Sequence, residues 1–271
     1  MTNADWAAAA DVDFTLPSAA RIYDYNLGGS HNFAVDRAVA EQVNQAMPDL
    51  PLIHRANRSF LRRVVRVLAD AGIRQFLDMG SGIPTVGNVH EIAQRAAPES
   101  RIVYVDVDPV AVTHSNAILA DNDRAAAIRA DVRNATGILE DPTVRSVIDF
   151  SQPVGVLMLT VLHYISDEDH PLELVRTYRD AIVPGSYLAI SHGTMESSTG
   201  DQTKAGVQAG VRSKIPTTMR GRAEITRMFD GFDLIEPGIV FAPEWRPDSL
   251  NDTFRDEPDR SATIVGVGVK R

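Results

Sequence analysis

The sequence predicts an α/β fold: a mostly parallel seven-stranded sheet with a late antiparallel strand, helices on both faces, and a helical extension ahead of it. Three observations predict it. From Gly72 onward, short apolar runs alternate with segments of helical period. The first of these runs ends in the glycine turn Asp78-Met79-Gly80-Ser81-Gly82, where a strand gives way to a helix. The last two strands, near residues 232–241 and 262–269, are joined by a stretch rich in Pro, Asp and Arg. A parallel crossover needs a dozen or more residues and usually a helix, so these two strands should close antiparallel.

In chain order, residues 1–16 are alanine-rich and acidic and read as a loose lead-in. Residues 17–33 hold a short helix ending at Gly28-Gly29, and residues 36–47 a second one. Pro48 and Pro51 punctuate, and a third helix runs to about residue 70 before Gly72 stops it. In that helix Phe60, Leu61, Val64, Val65 and Leu68 recur at helical spacing. Burying them leaves Arg55, Arg58, Arg62, Arg63 and Arg66 mostly on the opposite, solvated face. Residues 1–71 are therefore expected to form a helical extension or lid, and residues 72–271 the ligand-binding domain.

After the first strand, Thr85 should cap a helix over residues 86–97. Strands are predicted at 101–106, 126–130, 153–160 and 186–191, with helices at 109–121, 172–182 and 220–229. Residues 192–216, dense in Gly and Ser, interrupt this alternation and are expected to be mobile or weakly helical, covering a substrate or simply a surface loop.

With 271 residues, 44% of them hydrophobic and 23% charged, the chain is of globular and soluble character. A net charge of −9 argues against nucleic-acid partners, which need dense Lys and Arg. Cysteine is absent, which excludes disulfides and thiolate sites and fits a reducing, cytoplasmic setting. No apolar run approaches a membrane span, and no histidine spacing suggests a metal site.

The glycine turn points to a ligand, because glycines let it approach the backbone and a helix behind them directs N–H groups toward it. Charge narrows the ligand. Asp78 at the mouth of the turn would repel a pyrophosphate and favour the ammonium of S-adenosylmethionine. Asp106, ending the second strand, can accept both ribose hydroxyls, a role that serves NAD equally well. Asp131 and Val132 follow the third strand, where the carboxylate can accept the adenine amine and the Val132 N–H can donate to the ring. Gly80, Ser81, Gly82, Val107 and Thr160 stand at the carboxyl ends of the first, second and fourth strands and complete the candidate cofactor set. Arg58 is the candidate cation for the cofactor's carboxylate, since the turn carries none. His163 and His192, following the fourth and fifth strands, are candidate acceptor-site residues or packing residues, with His31 a third candidate.

Three stretches carry a family resemblance: Ala20-Arg21-Ile22-Tyr23-Asp24-Tyr25-Asn26-Leu27-Gly28-Gly29 with Asn32-Phe33, then Arg55-Ala56-Asn57-Arg58, then residues 76–85 with Pro84 in the turn. With the sheet order above, they resemble an actinobacterial S-adenosyl methyltransferase family of unassigned substrate, covering residues 17–271. The resemblance implies a Rossmann-like class I methyltransferase fold and S-adenosylmethionine as cofactor, and leaves the methyl acceptor open. A small-molecule acceptor is the leading expectation, ahead of a protein side chain. An S-adenosylmethionine-binding sensor without turnover and an NAD-dependent oxidoreductase are the readings from other classes.

Overall fold

A computed structural model describes residues 12–84, 87–248 and 252–271. Five strands pair parallel: β1 (Gln75–Met79), β2 (Arg101–Asp106), β3 (Ala125–Arg129), β4 (Gly155–Leu159) and β5 (Tyr187–Gly193). β8 (Thr263–Lys270) runs antiparallel beside β5 and carries β6 (Phe232–Leu234) and β7 (Val240–Phe241) on its other edge. The order is β3-β2-β1-β4-β5-β8-β6, so β1 lies between β2 and β4 and the sheet grows outward from it in both directions. Ligands of such sheets bind beyond the carboxyl ends of the strands at this reversal.

The sheet holds eight strands where seven were expected. The predicted strand at 232–241 is broken in two: Leu234 pairs opposite Gly268 and Val240 opposite Val265 along the same edge of β8. Pro237, which has no N–H to give a ladder, lies in the break.

Three helices precede the sheet, α1 (Ala19–Asn26), α2 (Ala34–Ala46) and α3 (Leu50–Asp70). The apolar stripe of α3 packs directly on the sheet, with Phe60, Val64, Val65 and Leu68 in one core with Phe76, Ile102, Leu157 and Trp245. This helix is thus a layer of the fold, not a detached cover. The opposite face is covered by α6 (Ala135–Glu140), α7 (Pro142–Val147), α8 (Pro171–Ala181) and α10 (Arg222–Arg227).

Four sequence expectations need correction or placement. The helix after β1, α4, is Val89–Ala96 with Asn88 at its N-cap, and α5 (Pro109–Ile118) follows β2; Thr85 and its proposed capping role lie outside the described residues. Most of the lead-in at 1–16 lies outside them too. The segment expected to be mobile or weakly helical contains the thirteen-residue helix α9 (Gly200–Arg212), packed against the end of α2 so closely that a Cβ on Gly206 would stand 3.1 Å from that of Met47. Finally, Arg63 does not belong to the solvated face. It is 1% exposed, donates to the carbonyls of Trp245 and Ala242 at 2.8 and 2.7 Å, and pairs with Asp252 at 3.2 Å. The α3 stripe is wide enough to bury this arginine, and its fork holds Ala242, Trp245 and Asp252 against the helix.

α1 is tied down by a buried ion pair between Arg21 and Asp36 of α2 at 3.0 Å, with Asp108 after β2 at 3.9 Å from the same nitrogen. Asp24 accepts from the His31 N–H at 2.9 Å and from the Asn32 amide at 2.8 Å. A Cβ on Gly29 would lie 1.9 Å from the Asp24 carboxylate, which accounts for the glycine there.

Replacing Arg63 with Ala strands two carbonyls and a buried carboxylate. Arg63→Ala is expected to lower the unfolding free energy by about 3–5 kcal/mol, read by urea denaturation, while the exposed-face change Arg66→Ala stays within about 1 kcal/mol.

Candidate functional site

At the carboxyl ends of β1, β2 and β4 a cavity of about 370 Å³ lies between the sheet, α1 and α3, a size suited to a nucleoside-sized ligand. β1 contributes Asp78 and, in the turn after it, Gly80, Ser81 and Gly82. β2 ends in Asp106 and Val107, Asp131 and Val132 follow β3, and Thr160 follows β4. α3 adds Arg58. All ten residues named from the sequence as cofactor candidates therefore meet in one wall.

The turn works differently from the expectation. Its helix begins seven positions beyond Gly82, and its own N–H groups are engaged: Gly80 and Ser81 donate to the Val105 carbonyl at 2.8 and 3.1 Å, and Gly82 donates to Asp106 Oδ2 at 2.7 Å. Gly80, Ser81 and Gly82 therefore offer no free N–H to a pyrophosphate. What the turn does require is bare backbone. Gly80 sits at φ +67°, and a Cβ there would lie 2.4 Å from Val161 Cγ2.

The polar character of the site comes from carboxylates instead. Asp78 is buried, and burial pushes its carboxyl up to about 7 despite the pull of the Arg58 guanidinium. Burial likewise raises Asp106 to about 6, against the N–H groups of Asp108 and Gly82 that it accepts from. A buried carboxyl held this high gains by meeting a cation or hydroxyl donors. Asp131 is bonded through both oxygens to Arg133, mainly by that side chain, and is held below the usual carboxylate range. Arg58 donates to the Gly87 carbonyl at 2.9 Å, which anchors its fork at the cavity edge. Buried carboxylates beside one guanidinium suit a ligand that carries a cation, a carboxylate and hydroxyls, as S-adenosylmethionine does.

Two residues of the site were within quoted motifs yet carried no expectation. Asn57 donates to Tyr23 Oη at 3.0 Å and to Thr160 Oγ1 at 3.2 Å, and accepts from Ser191 Oγ at 2.7 Å. Tyr23 donates onward to the His54 carbonyl at 3.0 Å. Asn57 and Tyr23 both line the cavity, as do Lys214, Ile215 and Pro216 from the loop after α9, at the end of the 192–216 segment read as a substrate cover or a surface loop.

The histidines divide. His163 does not line this cavity but a smaller one beside it. His192 is placed away from both: it is fully buried, with Nδ1 2.8 Å from the Gly193 carbonyl and Nε2 3.1 Å from Arg220, so its acceptor-site expectation is corrected to a packing role. Burial drives its imidazole down to about 4. His31 lies tilted against His114, with ring centroids 3.8 Å apart, and lines neither cavity. Among the described residues no cluster of His, Asp and Glu has the arrangement of a metal site, and no helix is long and apolar enough to cross a membrane.

Two solved structures match nearly the whole chain. A candidate methyltransferase of Thermobifida fusca YX has 42% sequence identity and a TM-score of 0.89, covering 96% of this chain and 97% of its own. A DUF574 family protein of Streptomyces avermitilis MA-4680 has 38% identity and a TM-score of 0.91, covering 96% and 100%. A plantazolicin methyltransferase, solved with a triazolic desmethylPZN analogue and S-adenosylhomocysteine, shares the fold at 13% identity and a TM-score of 0.54, covering 93% and 95%. No protein of curated function is significantly similar. The family model for S-adenosyl methyltransferases matches residues 5–271, and with the class I sheet order this establishes that the chain belongs to the S-adenosyl methyltransferase family, enzymes that use S-adenosylmethionine as methyl donor.

Proposed function

We propose that the protein methylates a small-molecule acceptor and that the 370 Å³ cavity holds the cofactor. The observation that carries the acceptor's size is the enclosure of the strand ends: α1 and residues 214–216 wall the cavity opposite the sheet. These elements partly cover the ends of β1 and β4, which favours an acceptor small enough to pass between them.

In this reading Asp78 takes the cofactor's ammonium and Arg58 its carboxylate. Asp106 accepts from the ribose hydroxyls with the lone pairs left by Gly82 and Asp108. Asp131 and the Val132 N–H read the adenine edge, with Arg133 fixing the Asp131 carboxylate. Val107, whose side chain stands exposed, offers apolar surface to the ring. Bound there, the cofactor supplies a methyl carbon on a sulfonium, which an acceptor lone pair attacks in line while the carbon–sulfur pair stays with sulfur. The chain's part is positioning: Asn57 holds Tyr23 and Thr160 in place where the reacting atoms would meet.

Incubation with methyl-labelled S-adenosylmethionine and a size-fractionated cell extract tests the acceptor class. Label is expected in the small-molecule fraction; label confined to the protein fraction would assign a side-chain acceptor instead.

Arg58→Lys keeps the charge and loses the fork, so S-adenosylhomocysteine affinity should fall by about tenfold while adenosine, which lacks the carboxylate, binds both proteins alike. Equal weakening of adenosine would remove Arg58 from that role.

Asp78 gives a pH dependence with a definite sign. Its carboxyl is neutral below about 7 in the free protein and must ionise to meet an ammonium, which stays protonated below about 7.5. Calorimetry should therefore show S-adenosylhomocysteine affinity rising toward pH 7 and falling below it by up to about tenfold per unit, and Asp78→Asn should flatten the profile.

A further inference from the structure

Beside the larger cavity lies an inner one of about 120 Å³. The two share Ala19, Tyr23, Thr160, Tyr164 and Ile215 as walls, so they meet at these side chains. Its far side is built by α2 and α9, with Val39 and Val43 facing Thr203, Gly206 and Val207. The close approach of these helices at Gly206 closes that end.

The lining is uncharged. No Asp, Glu, Lys or Arg borders the inner cavity among the described residues, although charged groups crowd the outer one. Its polar groups are neutral ones. His54 stacks on Tyr23 with ring centroids 4.1 Å apart, and His163 tilts against Tyr164 at 4.3 Å. Burial drives the His54 imidazole down to about 3 and His163 well below its ordinary value, with His192, His54 and Arg220 adding to the latter. The Nδ1 atoms of both are buried without a hydrogen-bond partner among the described residues.

Each feature restricts an occupant. An ionised ligand would lose its hydration with no counter-charge to meet, so the occupant is neutral. A cavity of about 150 Å³ lined by apolar side chains holds benzene, so one of this size admits a single ring and excludes a fused pair. Four aromatic side chains, Tyr23, His54, His163 and Tyr164, offer ring faces and edges. Unpartnered imidazoles favour an occupant that brings a hydrogen-bonding group.

We propose that the inner cavity is the acceptor site and that it takes a neutral, single-ring aromatic molecule bearing a hydroxyl or ring nitrogen, held with its polar group near the residues the two cavities share. This inference rests on the assignment of the outer cavity to the cofactor. Val43, on the wall away from the cofactor, then sets the acceptor's size.

The test titrates the full-length protein, saturated with S-adenosylhomocysteine, with para-cresol, para-hydroxybenzoate and naphthol in a calorimeter. Para-cresol should bind about tenfold or more tightly than the anionic benzoate or the two-ring naphthol. Val43→Phe should weaken para-cresol by about tenfold and leave S-adenosylhomocysteine within about twofold, and Val43→Ala should bring naphthol affinity up by a similar factor. Binding of para-hydroxybenzoate as tight as para-cresol, or para-cresol affinity indifferent to both Val43 changes, would overturn the inference. If the wild type takes up S-adenosylhomocysteine but not para-cresol, this inference alone falls; if it takes up neither, the cofactor assignment falls first.

Discussion

The side-chain amide of Asn57 is the interaction on which the architecture of the site depends. It is buried and fully used, with its two N–H groups on Tyr23 and Thr160 and its oxygen on Ser191. Through it, α1, α3, the end of β4 and β5 are brought to one point. A buried amide left with a missing partner costs free energy comparable to the bond itself, so the four elements are mutually specified and not merely adjacent. Thr160, held here at φ +53°, carries its strained backbone at the boundary of both cavities.

That point also separates two environments of opposite character. On one side, Asp78, Asp106, Asp131 and Arg58 make a charged wall whose carboxyls are raised by burial or lowered by a partner according to what surrounds them. On the other, the wall is apolar and aromatic with neutral imidazoles. In the proposed reading the charged side meets a cofactor that is zwitterionic and cationic at sulfur, and the uncharged side a neutral acceptor. The N-terminal motifs make sense as scaffolding for this division. The Arg21–Asp36 pair and the Asp24 hydrogen bonds fix α1, and α1 supplies the tyrosine at the junction.

Where the sequence misled, the reason in each case lies in contacts made far along the chain. Arg63 sits at a position whose helical phase is compatible with either face; Trp245, Ala242 and Asp252, some 180 residues away, draw it inward. Residues 200–212, left open between a mobile segment and a weak helix because their glycines lower helix propensity, form a helix packed closely on Met47 at the end of α2. His192 was placed correctly at a strand end, but its imidazole turns into the core to meet Arg220.

What the sequence by itself determined was everything carried by local period and by strand ends: the strand–helix alternation, the antiparallel closure, the glycine turn, and the aspartates at the carboxyl ends of three successive strands. These are legible because a strand end in a parallel sheet is a fixed address, and residues there face the same crevice whatever else the chain does. Tertiary structure alone decided which polar atoms are already taken. The turn's N–H groups are claimed by Val105 and Asp106, Arg58 is anchored on the Gly87 carbonyl, and Asn57 meets Ser191 across 134 positions. It also decided that an uncharged cavity adjoins the charged one, because that requires α2 and α9 to pack together over the end of β5, and no local pattern records a contact between helices so distant in sequence.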